Sequence, residues 1–318
     1  MRNYLLYFFV LIIWTALMPF APSAIGTDDG LNKSAVGNDD MLKVLTANGV
    51  VAEMTLDEYV LGVMLTEMPT SYDRQALLAQ AVCIRSYVKY LLDTTEKIDT
   101  VLHSEALCAD SNCCLKYITF NELRALTNDE NATARFIAMS TAVYETSGEV
   151  LTYNGRAAMT LYHISSPART ESYGNLFDIS VPYLTGVNNI DESGFIYYKK
   201  EKRLSFNELE SLLMANGYDY SYTANEQVSM VTNENLRCEY IIFGKTRISA
   251  AVLVELLELN SACIDIIKDS DGYIISSSGY GSGLGMSQYG ANILAAEGYT
   301  YKDILSFYFK GLVLEKLK

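Results

Sequence analysis

The stretch from Leu56 to Leu92, LDEYVLGVMLTEMPTSYDRQALLAQAVCIRSYVKYLL, constrains the fold more than any other part of the chain. Leu56, Tyr59, Val60, Val63 and Met64 recur at helical spacing, and Pro69 ends that period soon after Glu67. A second period through Leu77, Ala81, Ile84, Val88 and Leu91 predicts a long helix with a core-facing stripe of about four turns. Ser71 or Asp73 is its expected N-cap. One carboxylate, Glu67, is therefore expected at a break between two rigid elements. Its neighbours Met64, Leu65 and Met68 are apolar, and partial removal from water favours the protonated form of a carboxyl group. Pattern alone also allows the plainer reading, a solvated carboxylate at a helix end.

Half of the 318 residues are hydrophobic, enough for a sizeable core in one large domain or two smaller ones. The net charge of −14 argues against nucleic acid, which requires a basic footprint. It also disfavours purely electrostatic attachment to an anionic wall or membrane. Polysaccharide binding by such a chain rests on hydrogen bonds and aromatic stacking, for which 24 tyrosines are suited, although tyrosines serve cores equally well.

Residues 1–24 contain an unbroken apolar run from Tyr4 to Met18 behind Arg2. As a helix, Tyr4 to Phe20 reaches about 26 Å, just short of a bilayer core. With Arg2 before it and Asp28 and Asp29 after it, the positive-inside rule places the bulk of the protein outside the cytoplasm. An uncleaved signal anchor is expected, with a cleaved signal peptide as the alternative. Residues 25–40 are polar and turn-rich, a tether. The folded region begins near Met41 with two short strands around Asn48-Gly49.

After the long helix, His103, Cys108, Cys113 and Cys114 supply four soft or borderline ligands within a short span, enough for a tetrahedral zinc site. Such a site has no open coordination position and is structural. Two rival readings are disulfides, for which adjacent Cys113 and Cys114 are awkward, and free thiols. Cys83, Cys238 and Cys263 lie on apolar segments and read as small core hydrophobes.

Asn128 to Thr146 reads as a helix through Ala134, Ile137, Ala138 and Val143, followed by a hairpin at Asn154-Gly155. Residues 191–237 read as an insertion or small lobe. Their KKEKR run is taken as a solvated face, and a helix from Ser205 to Ala215 carries a Ser205/Glu208 capping box and stops at Gly217. A strand and a helix follow in YIIFGKTRISAAVLVELLEL, then a hairpin near Asp271-Gly272 and a last amphipathic helix in YKDILSFYFKG. The block GYGSGLGMSQYG lacks the lysine of a Walker motif, so its glycines read as close backbone approach to a ligand or another strand. With only two histidines in the chain, a Ser/His/Asp hydrolase is disfavoured.

Three ordered segments resemble the SpoIID/LytB family: TEMPTSYDRQALLAQAVCIRSY, YHISSPARTESYGNLFDISVPYLTGV and GYGSGLGMSQYGANILAAEG. The resemblance implies a lytic transglycosylase acting on peptidoglycan glycan strands, with the glutamate of the E-M-P motif, here Glu67, as acid/base. It implies that Gln80 and Arg85 orient the site or pack the helix. Some family members bind zinc just after the long helix, where Cys113-Cys114 here replaces a His-Cys pair. Pro167 and Ala168 stand where the family usually has glycines, Ser282 where it commonly has histidine, and His163 where an aromatic is usual. Arg169, Thr170 and Glu171, and Ser287, Gln288 and Tyr289, are the candidates for substrate binding, with loop and helix capping as the competing role. The family also implies denuded glycan as substrate and a membrane-anchored partner amidase. The expected architecture is α+β, mixed helices and antiparallel hairpins. It comprises an N-terminal membrane anchor and one catalytic domain, residues 41–318, with 191–237 as the smaller lobe. The alternative to an enzyme is a non-catalytic wall-binding module that stimulates an amidase.

Overall fold

The computed structural model describes residues 41–46, 49–94, 107–108, 114–127, 129–167, 169–188 and 190–317. The expected anchor and tether, together with Asn48, His103, Cys113 and Ala168, lie outside them. Among the described residues no helix is long and apolar enough to cross a membrane. The chain divides into two compact units, Met1–Met159 with Leu312–Lys318, and Thr160–Gly311. Both mix helices with small, mostly antiparallel sheets, so the fold is α+β.

In the first unit, β1 (Met41–Leu45) and β2 (Val51–Thr55) form the expected hairpin, in register from Met41↔Thr55 to Leu45↔Val51. The short strand β3 (Leu107–Cys108) adds to β1 in parallel. Helix α1 (Leu56–Glu67) starts at a capping box in which Thr55 accepts from the Glu58 amide and Glu58 accepts from the Thr55 amide. Met68 is extended, as a residue before proline must be, and this ends the helix. Helix α2 (Arg74–Thr94) is capped by Asp73, whose Oδ1 accepts from the Gln75 amide at 2.8 Å. All ten predicted core positions of the two helices are buried.

Helix α3 (Phe120–Leu126) carries a second capping box, Thr119 with Glu122. Helix α4 (Asp129–Glu145) forms where expected but turns a different face inward. Ala132, Met139, Ala142 and Val143 are buried while Ile137 is 58% exposed. This helix carries apolar residues on two sides, and periodicity cannot choose between two stripes. Strands β4 (Glu149–Tyr153) and β5 (Arg156–Ala157) meet at Asn154 and Gly155, both with positive φ, the backbone of a tight hairpin turn. The C-terminal strand Val313–Lys316 pairs antiparallel along the other edge of β4.

Arg85 joins these elements. It is fully buried, its Nη2 lies 2.8 Å from Asp57 of α1, and Nη2 also donates to the Val143 carbonyl at 2.9 Å. Asp57 in turn accepts from the Ser147 hydroxyl at 2.6 Å. A guanidinium withdrawn from water is tolerated because carboxylate and carbonyl oxygens surround it.

The second unit opens with β6 (Tyr162–His163) and the short helix α5 (Tyr173–Phe177). The KKEKR run is solvated as expected, but it is solvated along a strand, β7 (Lys199–Ser205). Its charges fit an edge position, where they discourage pairing with other chains. Helix α6 (Phe206–Ala215) has the expected Ser205/Glu208 capping box. Strands β8 (Val228–Thr232), β9 (Cys238–Phe243) and β10 (Thr246–Ser249) make one antiparallel sheet, so two strands, not one, precede helix α7 (Ala250–Leu256). Strands β11 (Ile264–Lys268) and β12 (Gly272–Ser278) form the expected hairpin, and β7 lies along β12. Leu209, Leu213, Phe243, Ile248, Leu253 and Tyr273 form the core over which these sheets and helices pack. Residues 191–237 thus supply part of this unit's sheets and core. Strand β13 (Met286–Ser287) pairs parallel with β6 and leads into α8 (Gln288–Ala296) and α9 (Tyr301–Tyr308).

Candidate active site

Glu67 is the last residue of α1 and is half-buried. Burial raises its proton affinity above that of an ordinary glutamate, partly offset by the Thr66 hydroxyl and the nearby ammonium of Lys116. The segment carrying Lys116 is fastened along α1. Thr66 Oγ1 lies 2.9 Å from the Val63 carbonyl, 3.0 Å from the Lys116 carbonyl and 3.5 Å from Glu67 Oε1, and donates its one proton to one of the three at a time. The Tyr59 hydroxyl donates to the Leu115 carbonyl at 3.4 Å, and the Tyr59 and Tyr117 rings stack 5.6 Å apart. The Ile118 amide donates to the Gly62 carbonyl at 3.3 Å. A Cβ at Gly62 would collide with the Tyr117 ring, so this close approach requires glycine. On the other side of the break, Arg135 of α4 donates from Nη2 to the Met68 carbonyl at 2.9 Å. A carboxyl of raised proton affinity, held at a rigid helix end, has the chemistry of a general acid.

Two of the four expected zinc ligands are described. Cys108 is buried in β3 and Cys114 is half-buried. The Tyr59 phenol lies close enough to both that, after burial itself, they are the main influences raising its pKa. Two thiols near one buried phenol are a donor set compatible with a thiolate-binding metal. Among the described residues alone, no group of three or more histidine, cysteine or acidic side chains is placed to hold a metal ion.

The remaining sequence candidates lie in the second unit, most of them inside it. The Thr170 hydroxyl accepts from the Val187 amide at 2.9 Å. Glu171 is fully buried and accepts from the side-chain amides of Asn175, Asn233 and Asn235 at 3.0, 2.7 and 2.6 Å. Arg237 completes its surroundings, with Nε 3.7 Å away. Ser287 caps α8 by accepting from the Gly290 amide at 3.2 Å, and donates to the buried Glu192 at 2.9 Å. Gln288 is buried beside it. Arg169 and Tyr289 are half-buried: Arg169 donates to the Gly186 carbonyl at 3.2 Å, and Tyr289 packs on Phe195 with ring centres 5.1 Å apart.

Asn233, Asn235, Arg237 and Glu192 were not singled out from the sequence. Their signal was the need of a buried Glu171 for donors, which appears only once Glu171 is known to be buried. The glycine block serves this network. The Gly283 carbonyl accepts from the Glu171 amide at 2.8 Å, and a Cβ at Gly283 would collide with the Arg237 guanidinium. His163, the histidine described here, is also buried. Its pKa is pushed down to about 3 by burial, so the ring is neutral, and Nδ1 bonds the Leu284 carbonyl at 3.0 Å.

Residues 46–153 match the family model described as SpoIID, stage II sporulation protein. Stage II sporulation protein D of Bacillus subtilis is 30% identical over 269 residues, covering 84% of this chain and 76% of that protein. The chain belongs to the SpoIID family. The stage II sporulation protein D of Bacillus amyloliquefaciens is 27% identical over the same share of both chains. A Bacillus subtilis protein named amidase enhancer is 25% identical, covering 80% of this chain and 40% of its own length. The SpoIID match spans β2, α1, the break with Glu67, α2 and the chain on to β4.

Proposed function

We propose that this SpoIID-family protein is a lytic transglycosylase that cleaves the glycosidic bond between N-acetylmuramic acid and N-acetylglucosamine in peptidoglycan. The observation that carries this reading is the half-buried Glu67 at the α1–α2 break, with its raised proton affinity. Glycosidases normally need two carboxylates. One suffices here because the muramic acid's own 6-hydroxyl attacks its anomeric carbon, an intramolecular nucleophile of high effective concentration. Protonated Glu67 gives its proton to the departing glycosidic oxygen as the C1–O bond breaks. The resulting carboxylate takes the proton of the 6-hydroxyl as the new C1–O6 bond closes, leaving a 1,6-anhydro end and a restored acid. Of the second unit's candidates, Arg169 and Tyr289 retain surface with which to meet a glycan.

Glu67→Gln keeps the side chain's shape and removes its proton. The expected outcome is loss of anhydro-ended fragments from purified sacculi, by at least about a hundredfold, with glycan binding retained. Release at the parent rate would sink the acid/base assignment. The name of the amidase enhancer relative favours a second reading, a wall-binding module that stimulates an amidase. That reading requires stimulation of an added amidase to survive Glu67→Gln while the chain alone releases nothing.

We further propose that His103, Cys108, Cys113 and Cys114 hold a structural zinc ion, with the N-terminal apolar segment anchoring the protein on the outer side of a membrane. The ion's contribution is to fix the segment between α2 and α3, and no chemical step passes through it. About one equivalent of zinc should accompany the purified protein, and Cys108→Ser should lower that content and loosen residues 107–118 in hydrogen exchange. Metal-free protein with unchanged exchange there would refute the assignment.

A further inference from the structure

Ile196 is 80% exposed, more than any other large apolar side chain among the described residues, and Tyr197 beside it is 60% exposed. Both sit on a turn in the second unit that is firmly held. The Phe195 amide donates to the Glu192 carbonyl and the Tyr198 amide to the Phe195 carbonyl, each at 2.9 Å. Asn260 donates from Nδ2 to the Tyr197 carbonyl at 2.9 Å, and the Gly279 amide donates to the Tyr198 carbonyl at 2.8 Å. At the root of the turn, buried Glu192 accepts from the Ser166 amide and the Ser287 hydroxyl, both at 2.9 Å. Tyr289 backs the Phe195 ring, with centres 5.1 Å apart. A turn so fastened, yet carrying its apolar tip into water, marks a surface of interaction.

We propose that this turn inserts Ile196 and Tyr197 into the surface of a lipid bilayer. The rings of Phe195 and Tyr197 meet edge-on, with planes at 76°, so the tip is a wedge and not the flat platform on which a sugar ring stacks. An aliphatic side chain beside a phenol suits the bilayer interface, where a tyrosine buries its ring and keeps its hydroxyl wet. Charge agrees. Asp191 at the start of the turn is offset by Lys199 and Lys200, which follow the turn directly, and Lys200 has no carboxylate within ion-pair distance among the described residues. A near-neutral apolar tip in a chain of net charge −14 is the part that an anionic headgroup layer repels least. The sequence supplies proximity. Residues 25–40 separate the N-terminal apolar segment from the first strand, and a stretch of that length spans at most about 55 Å. The inference rests on the anchor reading above and is independent of the transglycosylase reading. With the N-terminal segment in the bilayer, the folded chain stays within that span of it, and the turn supplies a second point of attachment that needs no electrostatic attraction.

The test uses the full-length chain in vesicles of phosphatidylcholine and phosphatidylglycerol, with or without bromine on the acyl chains, which quenches an indole at contact. Trp14 is the chain's one tryptophan, so the parent reports on the N-terminal segment. Trp14→Phe with Ile196→Trp reports on the turn. Trp14→Phe with Met214→Trp reports on an exposed position of α6 in the same unit. Brominated lipid should quench the Ile196→Trp chain at least about twofold more than the Met214→Trp chain, and adding Tyr197→Ser should remove most of that difference. Equal quenching of the two chains would overturn the proposal. So would a difference untouched by Tyr197→Ser, because the introduced indole and not the turn would then be binding lipid. An emission shift that follows added glycan strands or rising protein concentration, without quenching by brominated lipid, would overturn it too and mark a sugar or a second copy as the occupant. The two readings fail separately. If Trp14 is quenched and the turn is not, the anchor stands and the turn's insertion falls; if the turn is quenched and Trp14 is not, the anchor falls and the insertion stands.

Discussion

Glu67 differs from other helix-end carboxylates in what surrounds it. Burial favours its neutral form, whereas the Thr66 hydroxyl and the Lys116 ammonium favour the charged one, and burial is the larger effect. An acid that must hold a proton works below its pKa, so kcat/KM should fall as pH rises through a value above the ordinary glutamate range. Lys116→Met removes an opposing cation, and the falling limb should then move to still higher pH. A limb at the ordinary glutamate position in both proteins would contradict this. The same shift affects stability. The folded-state pKa is raised, so Glu67's contribution to folding is complete below the ordinary glutamate value and is lost as pH climbs through the folded-state value. Glu67→Gln should therefore gain stability relative to the parent as pH rises across that window, as read by urea unfolding.

At the scale of elements, α1 and α2 are joined by more than apolar contact. The Arg85–Asp57 pair is buried, and Arg85 also reaches α4 through the Val143 carbonyl. Removing one partner leaves a buried charge uncompensated. Arg85→Met is expected to cost about 3–5 kcal/mol, and adding Asp57→Asn should recover part of that loss. Urea denaturation of the two variants checks this, and additive losses would show that the pair is not coupled. Much of this unit was legible because α1 and α2 have strong periodicity and Pro69 separates them. The inward face of α4 was not legible, because Ile137 and Met139 lie on competing stripes and only packing selects Met139. Strand β7 was missed for a related reason: an edge strand rich in lysine looks like a solvated run until β12 is found beside it.

At the scale of the whole molecule, the chain leaves the first unit at Met159 and returns to it at Leu312. The last strand, Val313–Lys316, covers an edge of β4, which is covalently far from it. Deleting residues 312–318 should therefore expose β4 to hydrogen exchange while protection of β7, β11 and β12 in the second unit is unchanged. Equal loss in both units would show that the two unfold together. The second unit's polar interior illustrates how function and structure exchange places between sequence and fold. Thr170, Glu171 and Ser287 have the chemistry of sugar-binding groups, and no sequence pattern singles out Asn233 and Asn235. Once folded, Glu171 draws both asparagines and Arg237 around it. Local sequence by itself determined the two helices, their break and the acid placed there, because these depend on periodicity, capping and proline, all read within a few turns. Whether a polar side chain faces solvent or another polar group, and which cation stands near Glu67, was decided by contacts between segments distant in sequence, which only the tertiary structure brings together.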